Sequence, residues 1–351
     1  MPEFRLAVYP GDGIGPEVID EALRVLDAVE RAEPGLKFQR TVLPWGIDYY
    51  DQTGKLVPDD FLDVLRPFDA ILLGAVGWPA KLPDHLTLAP LVRIRQAFDQ
   101  YACARPAKLF PGLRGYLADK GPEQIDFVVV RENSEGEYID NGGRFKRGTP
   151  DEFAIQTALH TRKGIERILR YGFELARTRR RRLTMATKSN AQKYAYVLWD
   201  DILDELAPQY PDVEADKQHC DACVMNFVRW PEKFDVVVAS NLFGDLLTDL
   251  GGLLGGGLGL APSSNVNPER KFPSMFEPVH GSAPDIAGRG IANPIAAILS
   301  LAMLLDHLQL TSAAARVRTA VERALAAGAR TADLGGALTT RQMGEAITAQ
   351  C

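Results

Sequence analysis

The sequence has few cysteines and no long apolar run. Four cysteines in 351 residues do not make a disulfide framework, so we expect reduced thiols at Cys103, Cys220, Cys223 and Cys351. Cys220 and Cys223 have the spacing of a zinc-binding pair, but no second Cys/His pair follows, which favours buried or surface thiols. No uninterrupted apolar stretch reaches the about 18 residues of a membrane span, and no leader-like pattern precedes the first strand. We therefore expect a cytoplasmic protein.

The chain also lacks an excess of positive charge. Its net charge of −6 argues against bulk nucleic-acid binding. One basic run, at 177 and 179–182, follows a helical pattern and is interpreted as a solvated helix end. Internal repeats and low-complexity segments are missing as well. With 46% hydrophobic residues, the chain has enough apolar material for two globular domains.

What the sequence does contain is an alternation of strand and helix patterns. Apolar strands are predicted at residues 4–9, 38–43, 70–73, 125–130 and 183–187, with helical segments between several of them. A hairpin-type turn is predicted at 141–144, followed by a strand at 154–160 that suggests an arm. A helix is predicted at about 162–177. The alternation predicts a mostly parallel sheet.

A glycine turn follows the first strand and opens a helix. Its sequence is Gly11-Asp12-Gly13-Ile14-Gly15-Pro16-Glu17. A dinucleotide fingerprint of the GxGxxG type needs its last glycine where Pro16 and Glu17 stand, so we reject a Rossmann fold. The turn can still bring backbone close to a ligand at a helix N-terminus.

Two carboxylates follow the buried strand near residue 236. Asp245 and Asp249 are four residues apart on a predicted helix, so both project from one face and could hold a hard divalent cation. A solvated acidic face is the alternative. Like charges at this spacing destabilise a bare helix, so a compensating partner is expected.

Arg131 ends an apolar strand, and Arg95 and Arg105 lie near one another in the preceding segment. Arg95, Arg105 and Arg131 could together clamp carboxylates, although scattered surface arginines are the simpler alternative. Lys188 ends another strand; buried near other cations, it could act as a base, whereas alone it would be an ordinary surface lysine. The Gly- and Pro-rich segment 276–288, running on to Asn293, is a second candidate ligand loop.

These motifs, with Asn241-Leu242-Phe243-Gly244-Asp245 and the segment 277–285, occur in the order found in β-decarboxylating dehydrogenases, and the sequence resembles that family over essentially its whole length. The resemblance implies an α/β, isopropylmalate dehydrogenase-like fold with a mostly parallel central sheet. It further implies a cofactor-side domain of residues 1–100 plus 255–351. Residues 101–254 would form a smaller domain with the dimer interface and an arm at about 138–160. The implied assembly is a homodimer with shared active sites.

The resemblance also implies residue roles. Arg95, Arg105 and Arg131 would bind substrate carboxylates, and Tyr138 would donate a proton. The partner subunit's Lys188 would act as base, and Asp245 and Asp249, with the partner subunit's Asp221, would hold Mg²⁺ or Mn²⁺. The implied cofactor residues are Ile14, Glu277, His280, Gly281, Ser282, Ala283, Asp285 and Asn293.

An aspartate at position 285 can accept both ribose hydroxyls and would repel a 2′-phosphate, which favours NAD⁺ over NADP⁺. A role for K⁺ is left open.

The segments 77–79, 83–85, 98–101 and 267–270 are similar to the tartrate/D-malate branch of the family. Cys103, Leu88 and Gly257 depart from the usual residues. We expect NAD-dependent oxidative decarboxylation of D-malate or oxidation of tartrate, with 3-isopropylmalate as the alternative substrate. A metal-dependent phosphoryl hydrolase and a metal-stabilised scaffold are the alternatives from other functional classes.

Overall fold

The computed structural model describes residues 3–351, which form twelve strands and twelve α-helices. The strands are β1 (Glu3–Gly11), β2 (Lys37–Val42), β3 (Ala70–Ala75), β4 (Ala102–Lys108), β5 (Asp126–Glu132), β6 (Gly142–Phe145), β7 (Phe153–Gln156), β8 (Arg182–Thr187), β9 (Glu214–His219), β10 (Val236–Ala239), β11 (Pro262–Val266) and β12 (Ser274–Pro278). The helices are α1 (Gly15–Ala32), α2 (Ile47–Thr53), α3 (Phe61–Leu65), α4 (Asp84–Thr87), α5 (Ala89–Ala97), α6 (Arg162–Arg177), α7 (Ala195–Leu206), α8 (Cys220–Arg229), α9 (Asn241–Leu254), α10 (Ile295–His307), α11 (Thr311–Ala326) and α12 (Thr340–Thr348).

Ten strands form one sheet in the order β2-β1-β3-β12-β11-β4-β5-β10-β8-β9. Pairing is parallel except around β4 and β11, where β12–β11, β11–β4 and β4–β5 are antiparallel. The predicted α/β class with a mostly parallel sheet is confirmed. Strands from the two ends of the chain lie on one side of the β11–β4 junction, and strands from its middle lie on the other. The proposed domain boundaries near 100 and 255 stay a prediction.

Successive strand residues point to opposite faces of the sheet, and apolar residues occur on both faces, so helices cover both. Val128 and Val130 of β5 join the large cluster under α1, α6, α7, α10 and α11. Phe127 and Val129 point the other way, into the cluster under α8 and α9. The same second face carries α5 over β3 and β12. Helices α5 and α9 therefore flank the middle of the sheet from one side, and the site described below lies between them.

Two local predictions are wrong. The segment 141–144 is not a turn, since Gly142–Phe145 forms β6 and pairs with β7, which ends at Gln156. The glycine pair suggested a turn, but it serves close pairing of the two strands: a Cβ at Gly142 would lie 2.2 Å from the Ile155 carbonyl oxygen. The basic run is not simply a solvated helix end, because Arg179 donates to the 1% exposed Asp235 at 2.8 Å and to Asp126. A buried carboxylate requires such a cation.

The thiols agree with the prediction. All four cysteines are free, and Cys220 and Cys223 are buried side chains of α8. Of the helices in residues 3–351, none is long and apolar enough to cross a membrane.

Candidate active site

A cavity of about 190 Å³ opens at the carboxyl ends of β3, β5 and β12, between α5 and α9. Its charged and polar lining comes from seven side chains on five elements and two loops: Arg95 of α5, Arg105 of β4, Arg131 of β5, Tyr138 after β5, Asp245 of α9, Glu277 of β12 and His280 after β12. The structure therefore brings the three predicted arginines together with the predicted proton donor and one predicted metal ligand.

Asp245 is the centre of this cluster. One of its carboxylate oxygens accepts from Arg131 Nη1 and, at 3.3 Å, from Arg105 Nη1, and the other accepts from the Tyr138 hydroxyl at 2.9 Å. Burial opposes ionisation of this carboxyl group, but attraction from Arg131 and Arg105 outweighs burial and lowers the pKa of Asp245 below its ordinary value. These arginines are the compensating partners that the acidic pair requires.

Helix α9 is shaped to receive Arg131. The side-chain oxygen of Asn241 accepts from Arg131 Nε at 2.9 Å, and its amide donates to the Glu135 carbonyl at 2.8 Å. A Cβ at Gly244 would lie 2.6 Å from Arg131 Cβ. The first turn of α9 thus docks on Arg131 and places Asp245 beneath its guanidinium group.

Arg105 forms the buried floor of the cavity. Its Nε donates to Ser263 Oγ at 3.2 Å, and its Nη1 donates to Thr248 Oγ1 at 2.8 Å. Sequence reasoning missed Ser263 and Thr248, since a lone small hydroxyl carries no signal of its own. Arg95 is held from another side, donating to Glu277 at 2.7 Å.

Tyr138 lines the cavity and donates a hydrogen bond to Asp245. Its ring lies 5.1 Å from the guanidinium carbon of Arg131, and its hydroxyl points at Asp245. Burial and the negative charge of Asp245 raise the pKa of Tyr138. The phenol therefore stays protonated at neutral pH.

The glycine turn packs against the second predicted ligand loop. Ile14 N donates to the Ser282 carbonyl at 2.8 Å, and a Cβ at Gly13 would lie 1.9 Å from that same oxygen. The Ser282 hydroxyl in turn donates to the Gly77 carbonyl at 2.6 Å. The glycines thus allow close approach of chain to chain, and they bring Ile14, Gly281, Ser282 and Ala283 together.

The remaining cofactor candidates extend from this junction. His280 lines the cavity, and its buried Nε2 has no hydrogen-bond partner among residues 3–351. Asn293 donates to Asp333 at 3.0 Å, and Asp285 is exposed. An orphaned buried nitrogen beside a backbone cradle and an exposed carboxylate fits a bound polar molecule such as a dinucleotide.

Asp245 and Asp249 alone are an incomplete set of metal ligands. Asp249 is largely exposed, but partial burial and repulsion from Asp245 raise its pKa, and a bound cation would offset that repulsion. Carboxylate oxygens at this spacing suit a hard divalent ion. Within the described chain, however, no three His, Cys, Asp or Glu side chains group together as metal ligands.

Comparison with known proteins identifies the family. The isocitrate/isopropylmalate dehydrogenase family model matches residues 5–347. The chain belongs to that family. It is 51% identical to a probable tartrate dehydrogenase/decarboxylase of Agrobacterium vitis, covering 99% of this chain and 96% of the relative. It is also 51% identical to the D-malate dehydrogenase (decarboxylating) of Escherichia coli, covering 99% and 98%.

A solved isocitrate dehydrogenase from Methylococcus capsulatus superposes with a TM-score of 0.89 at 38% identity, covering 99% of each chain. The predicted family resemblance and fold are thereby confirmed, and the protein is an enzyme of the isocitrate/isopropylmalate dehydrogenase family.

Two residues with roles in this family resemblance lie apart from the cavity lining. Lys188 Nζ donates to Asp221 at 2.9 Å within the same chain. The argument for a base applies to a lysine buried near other cations, whereas the neighbour of Lys188 within its own chain is a carboxylate. The prediction that the partner subunit's Lys188 and the partner subunit's Asp221 complete the site stays a prediction.

The three departures from the family pattern lie in different surroundings. Cys103 is fully buried, with its Sγ 3.5 Å from Ser263 Oγ. Leu88 lines the cavity and is partly exposed. Gly257 has φ 122°, so a serine or threonine would be strained there. Only the first two can affect a bound substrate directly or through Arg105.

Proposed function

We propose that the protein catalyses NAD⁺- and divalent-metal-dependent oxidative decarboxylation of a 2-hydroxydicarboxylate, with conversion of D-malate to pyruvate and CO₂, or oxidation of tartrate, as the favoured reactions. The observation that carries the proposal is the convergence of three arginines, a protonated tyrosine and Asp245 on one cavity of about 190 Å³. Both relatives described above carry tartrate or D-malate in their names.

We assign each side chain of the cavity a separate role in this reaction. Arg95, Arg105 and Arg131 would bind the two carboxylates through paired N–H donors. NAD⁺ would supply the acceptor for the hydride of C2, and a divalent cation held by Asp245 and Asp249 would supply a Lewis acid for the oxygen on C2. The partner subunit's Lys188 would take the hydroxyl proton, giving a 2-oxo acid. Loss of the β-carboxylate as CO₂ leaves the bonding electrons as an enolate, and Tyr138 would protonate C3.

The residues around the glycine turn support NAD⁺. Ile14, Gly281, Ser282 and Ala283 meet beside the cavity, and His280 Nε2 is available to a ligand. Asp285 would accept from the ribose hydroxyls and repel a 2′-phosphate. Asp245 and Asp249 would hold Mg²⁺ or Mn²⁺ together with the partner subunit's Asp221.

A homodimer would supply the missing groups, and the surface of the chain supports one. Five large apolar residues of α8 and α9 are exposed: Val224, Met225, Val228, Leu246 and Leu253. The hairpin β6–β7 also presents Phe145, Phe153 and Ile155 to solvent. Exposed apolar patches of this kind are typical of interaction sites, and a lone two-stranded hairpin is marginal in water.

The test is substrate-dependent NADH formation and CO₂ release by chelator-stripped protein, before and after Mn²⁺ is restored. D-Malate, tartrate isomers, 3-isopropylmalate and isocitrate are compared side by side. We expect Mn²⁺-dependent turnover that is best with D-malate or tartrate. Failure on all four substrates would overturn the proposal.

3-Isopropylmalate is the second candidate, because Leu88 and Leu91 line one side of the cavity and offer an apolar wall to an alkyl substituent. The best turnover with that substrate would favour it over the tartrate/D-malate branch.

A further inference from the structure

Strand β11 has a polar row inside the protein. Ser263 and Asn265 are both 0% exposed, although they lie on a central strand between β12 and β4. Their side chains point to the face that carries the cavity, since Ser263 contacts Arg105 and Asn265 contacts Glu277. Buried polar side chains on a central strand cost stability unless they are hydrogen-bonded, so the partners of these two residues are informative.

Asn265 is fixed from both ends. Its side-chain oxygen accepts from Asn133 Nδ2 at 2.9 Å, and its Nδ2 donates to Glu277 at 2.7 Å. Asn133 is itself anchored, donating through Nδ2 to the Gln100 carbonyl at 3.2 Å and through its backbone to the Tyr101 carbonyl at 2.9 Å. The orientation of the Asn265 amide is therefore set by neighbouring strands and not by solvent.

The oxygen of Glu277 that accepts from Asn265 also accepts from Arg95 Nη2, at 2.7 Å. Arg105 and Arg131 contact a different carboxylate, that of Asp245. The three guanidinium groups are thus divided between two anchors. The buried Nε of Arg95 has no partner among the described residues, so this arginine has a donor left for a ligand.

We propose that Asn265 is a positioning residue for the substrate: by holding Glu277, it fixes Arg95 relative to the Arg105–Arg131 pair and so sets the span between the carboxylates that the site accepts. The inference rests on the proposed function, because it assigns the arginines to a dicarboxylate. Displacement of a binding group by about 1 Å can reduce turnover by orders of magnitude. A short diacid with few rotatable bonds adapts poorly to such a shift.

The test compares Asn265→Leu, Asn133→Ala and Ser264→Ala in the full-length protein. Asn265→Leu keeps the branched shape of the side chain and removes its hydrogen bonds to Asn133, Glu277 and the Met275 carbonyl, whereas Asn133→Ala leaves β11 unchanged and removes only the anchor. Ser264→Ala is the matched control: it is the buried neighbour on the same strand, but it contacts the Ala104 carbonyl on the opposite face. Initial rates with D-malate and with NAD⁺ give separate KM and kcat values, and thermal unfolding verifies folding.

We expect kcat/KM for D-malate to fall roughly 10–100-fold in Asn265→Leu, mainly through KM, and less in Asn133→Ala. The variant that combines Asn265→Leu with Asn133→Ala should have about the same kcat/KM as Asn265→Leu alone, since both changes act through one hydrogen-bonded chain. Ser264→Ala should behave like the parent.

Three results would overturn the inference. An Asn265→Leu variant that matches Ser264→Ala in kinetics refutes it, as does a larger change in KM for NAD⁺ than for D-malate, which would assign Glu277 to the cofactor. If Asn265→Leu does not fold, an unchanged KM for D-malate in Asn133→Ala refutes the inference in its place. An unmodified protein inactive on every hydroxy acid would instead overturn the proposed function as a whole.

Discussion

Arg131 shows how one buried cation organises the residues around it. Its side chain is almost completely buried, and burial lowers its pKa despite attraction from Asp245. A guanidinium group in such a place needs its donors satisfied. The Asn241 side-chain oxygen accepts from Arg131 Nε, and the Asp245 carboxylate accepts from Arg131 Nη1. The same contacts that stabilise Arg131 leave Asp245 ionised beside the substrate cavity.

Replacing Asp245 should therefore affect stability and activity together. Asp245→Asn leaves two buried arginines without their anion, so we expect roughly 1–3 kcal/mol lower free energy of unfolding at neutral pH, with loss of turnover. Because folding lowers the pKa of Asp245, its stabilising effect is complete above the unfolded value of 3.8 and is lost as pH falls below it. The difference between parent and variant in the free energy of unfolding, measured by urea denaturation, should therefore become smaller as the pH is lowered.

Asp249→Asn is the control for that experiment. Asp249 is largely exposed and contacts neither buried arginine, although partial burial and repulsion from Asp245 raise its pKa. The variant should unfold like the parent while turnover becomes dependent on much higher Mn²⁺. Equal stability losses in both variants would contradict the role given to the Arg131 contact.

Tyr138→Phe separates the two halves of the proposed reaction. The hydroxyl contacts Asp245, and its raised pKa keeps it protonated as a donor. Its removal should reduce protonation of the enolate by about 10²–10⁴-fold and affect hydride transfer less. Stopped-flow NADH formation, compared with steady-state pyruvate release, measures both. Comparable losses in the two steps would argue against a proton-donor role.

Asp285 is the residue on which cofactor choice should depend. Asp285→Lys removes the acceptor proposed for the ribose hydroxyls, so KM for NAD⁺ should rise roughly 10–100-fold while KM for the hydroxy acid stays near the parent value. Initial rates with NAD⁺ and NADP⁺ test this. An unchanged preference between the two cofactors would remove Asp285 from the site.

At the scale of the element, α9 combines two requirements in one turn. Asp245 must face the cavity, and Gly244 must leave room for Arg131. Gly244→Ala should lower the free energy of unfolding by about 1–3 kcal/mol and reduce substrate binding, because a methyl group 2.6 Å from Arg131 Cβ forces the two apart. Urea denaturation and KM measure the two effects.

Gly251→Ala on the same helix is the comparison variant. Its Cβ would meet the Ala107 methyl at 3.2 Å, and it lies further from the cavity. We expect a smaller stability loss and an unchanged KM. A KM effect at position 251 equal to that at 244 would indicate a general displacement of α9 and not a local effect on Arg131.

The elements differ in how well the sequence predicted them. Helix α6 spans Arg162–Arg177, as predicted, and it buries Ile165, Ile168 and Leu169. Strand β11 had no such signal, because Pro262–Val266 carries serine and asparagine where a central strand is usually apolar. Its polar residues are explained only by partners distant in sequence, such as Arg105 and Glu277. Local patterns cannot report contacts of that kind.

The same limit applies to the site. Arg95, Arg105, Arg131 and Asp245 could be proposed from sequence because strand ends and family motifs mark them, and the fold brings them to one cavity. The division of the arginines between Asp245 and Glu277 could not be predicted from sequence, since it depends on the register of β12, β11 and β4.

At the scale of the whole molecule, the proposed site requires two groups, Lys188 and Asp221, from a partner subunit. Lys188 and Asp221 contact each other but do not line the cavity that holds Tyr138. The exposed apolar residues of α8 follow directly after Asp221 on the same helix, and Met225 is 64% exposed. A second copy packed on this surface would carry its own Asp221 and Lys188 toward a neighbouring cavity.

Mixing two inactive variants tests this arrangement. In a heterodimer of Lys188→Ala and Tyr138→Phe subunits, one site would combine an intact Tyr138 with the partner subunit's Lys188, and the other would lack both. Random exchange of subunits should restore about a quarter of the parent activity, because about half the dimers are mixed and each has one intact site. Met225→Asp, which places a charge on the proposed interface, should prevent the rescue and yield monomers in sedimentation velocity. If tyrosine and lysine act within one chain, no mixture of the two variants regains activity, and the shared site is excluded even though the dimer itself persists.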